Sequence, residues 1–516
     1  MSLPEKTGSL SAAFGYRRLI LLSCAIALGV YHILASAVMY PVPGGDSAVF
    51  MPAAINLKAG RGLTNSLWEV HPDPSGKHPY LGHTPLFQVV VSACMREAET
   101  RNAFVVLAIF NALSLTLYAG ILCTAQFARK LIASVAGFVV LLSSLFALAF
   151  LIFTDSGGRP EALSTLTLSL AIATISWLPQ KCWPVCLGIA IGVAAATHPP
   201  HGIFIACLVT LAFLSTAPLP RAIGKMMLAA AVALSLFWML LSLSPYPAWT
   251  TLHAVSEHAT LANGPDYWFS ELLAYYVNLA PWSGLYLLGL CLVFVWWGID
   301  FWRSAGDWTM RSARLAALLL TAFAFYFFSI RRPNASYYLL MLAPALIAGA
   351  LYLFDVHGGG HGRRLAALPL WILAAFFSLF SLCLVRDIAL FVDYKNEGVS
   401  FAEAQRDFGQ LVRSTNQEIS VSESLWVLAD EFERIRIVDH GTVSGDLMVL
   451  QQTQRGSLSP PVIPGYRLLS QHFISHPPKW FGLPIAHTMP GYAFAVFARE
   501  ASIGKNRPPP YLNHGS

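Results

Sequence analysis

Charge is what this chain has least of: 12% of its 516 residues are Asp, Glu, Lys or Arg, against roughly a quarter in an ordinary soluble domain. That shortage excludes a conventional water-soluble fold over most of the length. Ionisable groups are also missing from the interiors of the hydrophobic runs, where only His32 lies deep. Ion-coupled transporters and channels need such groups at mid-membrane depth, and many transporters carry an internal repeat that is not obvious here, so both deficits argue against that class. A lone buried His is more often a hydrogen-bonder between packed helices than a proton relay. The eight cysteines form neither a disulfide framework nor a zinc spacing, because seven of them (Cys24, Cys123, Cys182, Cys186, Cys207, Cys291 and Cys383) fall in hydrophobic runs or at their edges and none follows residue 386. A Rossmann or P-loop fingerprint is absent too, which leaves no nucleotide site to argue from.

What is present is hydrophobic length. The chain is 56% hydrophobic, with a mean hydropathy of +0.57. Eleven apolar runs, 19–40, 103–126, 131–153, 162–178, 183–197, 202–217, 226–243, 282–301, 315–330, 337–354 and 365–385, read as helices long enough for a hydrocarbon core of about 30 Å. A twelfth stretch, 86–95, is too short to span and reads as a re-entrant or surface-lying helix. The expected fold is therefore an all-α polytopic membrane protein, with a small soluble α/β domain after residue 386.

Basic residues set the expected orientation. With the N-terminus cytoplasmic, the inner loops hold Arg17, Arg18, Arg129, Lys130, Lys181, Arg221, Lys225, Arg303, Arg311, Arg314, Arg363 and Arg364, while longer outer loops hold fewer. An odd number of spans then places the C-terminal domain outside. The first run, preceded by Arg17 and Arg18, resembles a signal peptide but is too long, and reads as an uncleaved anchor in the cytoplasmic membrane.

In this orientation the polar chemistry collects on the outer face. The first outer loop, 41–102, contains GGDSAVFMPAAINLKAGRG and HPDPSGKHPYLGHTPLF; later come TDSGGRPE from Thr154, THPPH from Thr197 and RRPNASYY from Arg331. Asp46, after two glycines, could be a general base or the N-cap of a helix over 47–58. Asp155 and Arg159 read as a second acid and a phosphate or sugar ligand, or else as a cap and a surface pair, with Glu161 in the first turn of a helix. Arg331 and Arg332 break the positive-inside pattern; they fit a phosphate clamp or headgroup snorkelling, and Tyr337 beside them a ligand or an aromatic belt. Lys77, His83 and His198 complete the candidate substrate contacts. A divalent metal is not favoured, because no HExxH or comparable spacing accompanies these histidines.

Taken in order, these elements resemble the membrane-embedded glycosyltransferases of the GT-C class, in particular the branch of protein O-mannosyltransferases and lipid A aminoarabinose transferases. The matching features are an acid soon after the first span (GGDSAVF), an HTPL element like that branch's Pro-Pro-Leu motif before a short apolar helix, the turn GGRPEAL, and a basic element followed by YYLLMLAP. The resemblance implies inverting transfer of a sugar from a polyprenyl-phosphate donor to a lipid, glycan or protein acceptor, without a cofactor. Asp46 matches the catalytic acid of the first outer loop, and Arg331 or Arg332 the late basic residue near the donor phosphate. Two departures stand out: Ser47 follows the acid where the mannosyltransferases have Glu, and His83-Thr84 stands where relatives often have Lys before Pro-Pro-Leu. The competing readings are a transporter or flippase of lipid-linked sugars and a non-catalytic scaffold.

In the C-terminal domain, 387–516, the spacing of 401–412 predicts a helix, while SLWVLAD, RIRIVDH and AFAVFAR read as strands, with a disordered proline-rich tail from about Asn506.

Overall fold

The computed structural model describes residues 6–38, 47–67, 79–124, 126–155, 158–261, 378–379, 381–385, 388–389, 401–415, 418–429, 432, 434–437, 446–451, 462–472, 479–480, 483–484 and 494–500. These are mostly helical, with a small sheet region. The helices are α1 (Lys6–Val38), α2 (Ser47–Lys58), α3 (Leu86–Cys94), α4 (Thr100–Thr124), α5 (Gln126–Ala133), α6 (Val135–Asp155), α7 (Glu161–Trp177), α8 (Trp183–Thr197), α9 (Pro199–Thr216), α10 (Leu219–Leu241), α11 (Ala248–Leu261) and α12 (Phe401–Ser414).

Three helices among the described residues are long and apolar enough to cross a membrane: Phe14–Ala37 within α1, Thr100–Thr124 and Leu219–Leu241. The expected runs 162–178, 183–197 and 202–217 form the shorter apolar helices α7, α8 and α9. At about 1.5 Å per residue, helices of this length reach roughly 22 to 27 Å, just under the hydrocarbon thickness. The stretch 86–95 forms the nine-residue α3, as its length requires. The runs 282–301, 315–330 and 337–354 and most of 365–385 lie outside the described residues.

The helical core joins α1, α4 and α6 to α9 around Leu115, Leu145, Leu148, Leu187 and Phe213. Small residues let backbones touch. In α8, a Cβ at Gly188 would stand 2.6 Å from the Ala229 carbonyl oxygen, and one at Gly192 would stand 2.8 Å from that of Ala233. The spacing of four puts both glycines on one face, the small-residue pattern that lets apolar helices associate without a hydrophobic driving force. The lone deep histidine is a packing residue: His32 Nε2 lies 3.2 Å from Asn111 Nδ2, and its ring stacks on Phe153 at 4.0 Å, so it ties α1 to α4 and α6.

The C-terminal sheet has the order β2-β1-β3-β7-β4, with β1 (Ile419–Val421) parallel to β2 (Ile435–Ile437) and β3 (Leu447–Gln451), and β7 (Phe494–Arg499) antiparallel to β3 and β4 (Tyr466–His472). A separate two-stranded ribbon pairs β5 (Lys479–Trp480) with β6 (Leu483–Pro484). The helix expected over 401–412 is α12. One expected strand is corrected: most of SLWVLAD forms a 3₁₀ helix, Glu423–Leu428, entered directly from β1. Leu425, Trp426, Val427 and Leu428 are all buried there, and a short continuous apolar run carries no periodicity that separates a buried strand from a buried helical turn. This sheet is not packed by itself. Its apolar core is continuous with α2, α3 and the first half of α4, through Met51, Phe87 and Phe104 on one side and Phe408, Val421 and Trp426 on the other.

Candidate functional site

The site is built around α2. Its sequence SAVFMPAAINLK is apolar on all faces, and Ser47 to Asn56 are all buried. Pro52 inside the helix has no N–H to offer the carbonyl of Ala48, four residues earlier. The chain supplies a substitute: the Asn65 amide donates to Ala48 O at 2.8 Å and to Val49 O at 2.9 Å, while its own oxygen accepts from the Leu67 N–H at 3.0 Å. The loop after α2 is thereby folded back onto the helix that Pro52 would otherwise weaken.

Three further segments meet α2. The first is the turn before α7, where Gly158 takes φ +86°, a conformation that favours glycine, and lies so close to α2 that an added Cβ would be 2.5 Å from Ser47 Cβ. That contact delivers Arg159 and Glu161. Their side chains are 5% and 2% exposed, with Arg159 Nε 3.1 Å from Glu161 Oε2, so Arg159 is held in a buried ion pair with Glu161. The second is HTPL, where His83 stands ahead of α3 and its ring centroid lies 4.8 Å from that of Phe50 in α2. Beside it, the Tyr80 hydroxyl and the Gln88 amide are 2.6 Å apart, and burial pushes the Tyr80 phenol well above its ordinary pKa, so it is a neutral hydrogen-bonding group. The third is THPPH. His198 is extended at φ −161° between α8 and α9, where Pro199 and Pro200 begin a new helix because neither needs a donor in its first turn.

Phe50 is the hub of the cluster. The Arg159 guanidinium carbon lies 5.7 Å from its ring centroid, and the His198 ring centroid lies 6.4 Å from it. The imidazoles form a series, with His83 and His198 centroids 6.2 Å apart and His198 and His201 4.7 Å apart. His201, one residue ahead of the apolar run 202–217, then meets the ion pair: its Nε2 is 3.6 Å from Glu161 Oε1, and its Nδ1 is 2.6 Å from Ser164 Oγ. Burial, and secondly the Arg159 charge, push the His201 pKa down, so the ring is neutral near pH 7. A neutral ring with Nε2–H toward the carboxylate leaves Nδ1 to accept from the Ser164 hydroxyl. The arrangement can hold a fixed positive charge against an aromatic face in a water-poor layer, where a guanidinium acts strongly on a nearby anion.

Of the residues expected from sequence, the structure brings together Arg159, Glu161, His83 and His198. Asp155 closes α6, and its side chain lies outside the described residues. Asp46, Lys77, Arg331, Arg332 and Tyr337 also lie outside them, although Asp46 directly precedes the clamped Ser47 in sequence. Phe50, Ser164 and His201 were not anticipated as part of the site. His201 and Ser164 carried a usable signal, since each stands three residues after a suspected one at a helical start; Phe50 carried none. Among the described residues, no three His, Cys, Asp or Glu side chains gather closely enough to hold a metal ion. In comparisons with known proteins, no family model matches the chain and no curated protein matches it.

Proposed function

We propose that the chain is a membrane-embedded inverting glycosyltransferase. It moves a sugar from a polyprenyl-phosphate carrier to a lipid, glycan or protein acceptor at the outer face of the cytoplasmic membrane. The observation that carries this reading is the clustering of the Arg159–Glu161 pair, His83, His198 and His201 against Phe50 on α2, the helix that begins one residue after Asp46.

The chemistry asks little more of the protein than position and charge. Asp46 takes the proton from an acceptor hydroxyl as its oxygen attacks the anomeric carbon, and the carbon–oxygen bond to the carrier phosphate breaks on the opposite face. Phosphate is a good leaving group, so cations near it supply most of the stabilisation as charge develops. Arg331 and Arg332, with Lys77 and Tyr337, serve the donor phosphate in this reading. Asp155 is a second acid at the same end. Glu161 fixes the Arg159 fork, and His83 and His198 line the approach to it. Three helices that could cross a bilayer would keep the carrier's tail in lipid while its head group reacts.

The test is transfer of radiolabelled sugar from a panel of polyprenyl-phosphate carriers in membranes containing the full chain or its Asp46→Asn variant. Loss of a general base lowers the rate by about 10²- to 10⁴-fold. Undiminished transfer by the variant removes Asp46 from that role, and no transfer by the unaltered chain from any carrier removes the reading itself.

A further inference from the structure

The end of the bundle that carries Arg17 and Arg18 is as rich in cations as it is poor in acids. There is no Asp or Glu in 6–38, in 102–154 or in 162–225, which include α1, α5, α8 and nearly all of α4, α6 and α7. The two arginines have different surroundings. Arg17 Nη1 donates to Ile132 O at 2.7 Å and to Ala133 O at 2.6 Å, the last carbonyls of α5, where a cation also complements the helix dipole. Its work is structural. The Arg18 guanidinium carbon sits 4.1 Å from the Phe14 ring centroid, and its Nε is buried with no hydrogen-bond partner among the described residues.

Around Arg18 the helix ends converge. The Cys123 thiol near the end of α4 lies 3.5 Å from the Arg18 carbonyl oxygen, and Trp177 Nε1 at the end of α7 donates to Thr124 Oγ1 at 2.6 Å. α5 is amphipathic here: Leu131 and Ile132 are buried while Arg129 is exposed. Lys181 is exposed as well. The same zone exposes Tyr16 and Trp177, followed by Leu19 on α1 and Val135 on α6. Aromatic rings at a polar boundary, cations without acids and bare aliphatic side chains below them describe one ligand: a molecule with an anionic head and apolar chains.

We propose that α1, α5 and the start of α6 form a binding site for an anionic phospholipid, with Arg18 and Arg129 on its head group and Leu19 and Val135 against its acyl chains. The inference rests on the reading that α1 and α4 cross a bilayer, but not on glycosyl transfer. Arg17 fastens α5 to α1 and so builds the site without contacting the lipid.

The full chain is purified with its lipids, washed with detergent, and the retained phosphatidylglycerol and phosphatidylcholine are counted by mass spectrometry. The unaltered protein is expected to retain the anionic lipid in preference, and Arg18→Gln with Arg129→Gln to lower that preference about thirtyfold, the effect of two cations near an anionic surface. Equal retention of both lipids by the unaltered protein overturns the proposal without reference to any variant. A preference unchanged in the double variant, or abolished by millimolar inorganic phosphate at constant ionic strength, overturns the assignment to a lipid head group at these arginines. Extraction of the protein by alkaline carbonate would instead remove the bilayer reading, so the two failures are distinguishable.

Discussion

The indole N–H of Trp426 donates a 3.0 Å hydrogen bond to the hydroxyl of Ser47, 379 positions earlier in the chain, and both side chains are buried. Trp426 belongs to the 3₁₀ helix that follows the first strand of the C-terminal sheet, whereas Ser47 is the first residue of α2. Ser47 is also closely approached by Gly158, so the start of α2 is held jointly by the turn that carries Arg159 and by the sheet module. The C-terminal part of the chain thereby packs against the start of the helix on which the candidate site is built. Replacing Trp426 by Phe keeps most of the ring contact with Phe104, whose centroid lies 6.5 Å away, and loses one buried hydrogen bond. That change is expected to cost about 1 kcal/mol, whereas Trp426→Ala costs about 3–5 kcal/mol through the cavity it leaves. Thermal unfolding of the purified chain in detergent separates the two; equal Tm values for both variants would show that the contact carries no weight.

Asn65 stands in for the N–H that Pro52 lacks. Asn65→Ala leaves the Ala48 carbonyl buried without its donor, at about 1–3 kcal/mol. Pro52→Ala restores a backbone N–H to that carbonyl, so the Asn65→Ala cost is expected to shrink in the Pro52→Ala background. A double-mutant cycle on unfolding free energies reads this coupling directly. Strict additivity would mean that Asn65 acts on the loop alone.

The buried pair makes single and double replacements diverge. Glu161→Gln strands the Arg159 charge in an apolar layer and is expected to destabilise by about 3–5 kcal/mol. Replacing both partners, Arg159→Met with Glu161→Leu, removes the uncompensated charge and should recover much of the stability while leaving no cation beside Phe50. In sugar transfer assays that double variant is expected to be stable and inactive. A double variant as active as the unaltered chain would reduce the pair to a packing feature.

The close contact between α8 and α10 is tested at its tightest points. Gly188→Val and Gly192→Val each push a branched side chain into a backbone carbonyl at under 3 Å, and overpacking of this kind costs about 1–3 kcal/mol. Fluorescence-detected size exclusion after a heating series should show both variants aggregating earlier than Gly224→Val, because a Cβ at Gly224 meets nothing within 4 Å. The same order for all three would argue against direct backbone packing here.

Much of this fold follows from hydropathy alone. Run length anticipated α1, α4 and α7 to α10, and THPPH marked the break between α8 and α9 because a double proline can only begin a helix. The residues of the site were legible as types but not as a set. Arg159 and Glu161 stand out in GGRPEAL because charge is rare in this chain; whether they face water or each other is decided by Gly158, whose contact partner Ser47 is more than a hundred positions away. Phe50 is one of 32 phenylalanines, and only its neighbours in space distinguish it. The join between α2 and the sheet was illegible for the same reason, since the pairing of Trp426 with Ser47 has no local signature.

His201 provides the test of the protonation state of this layer. Its pKa is depressed from the ordinary 6.5 to about 3 in the folded chain, so between those values the unfolded chain binds the proton and the folded chain does not. Stability is therefore whole above about pH 6.5 and falls as the pH is lowered through that window, by up to about 1.4 kcal/mol per pH unit from this group. His201→Gln keeps a hydrogen-bonding side chain beside Ser164 and cannot titrate, so its loss of stability on acidification should be shallower than that of the unaltered chain. Unfolding midpoints collected between pH 4 and pH 7 measure the two slopes. Parallel acid limbs would mean that the ring is already protonated against Glu161, and that the Glu161 carboxylate rather than burial governs its charge.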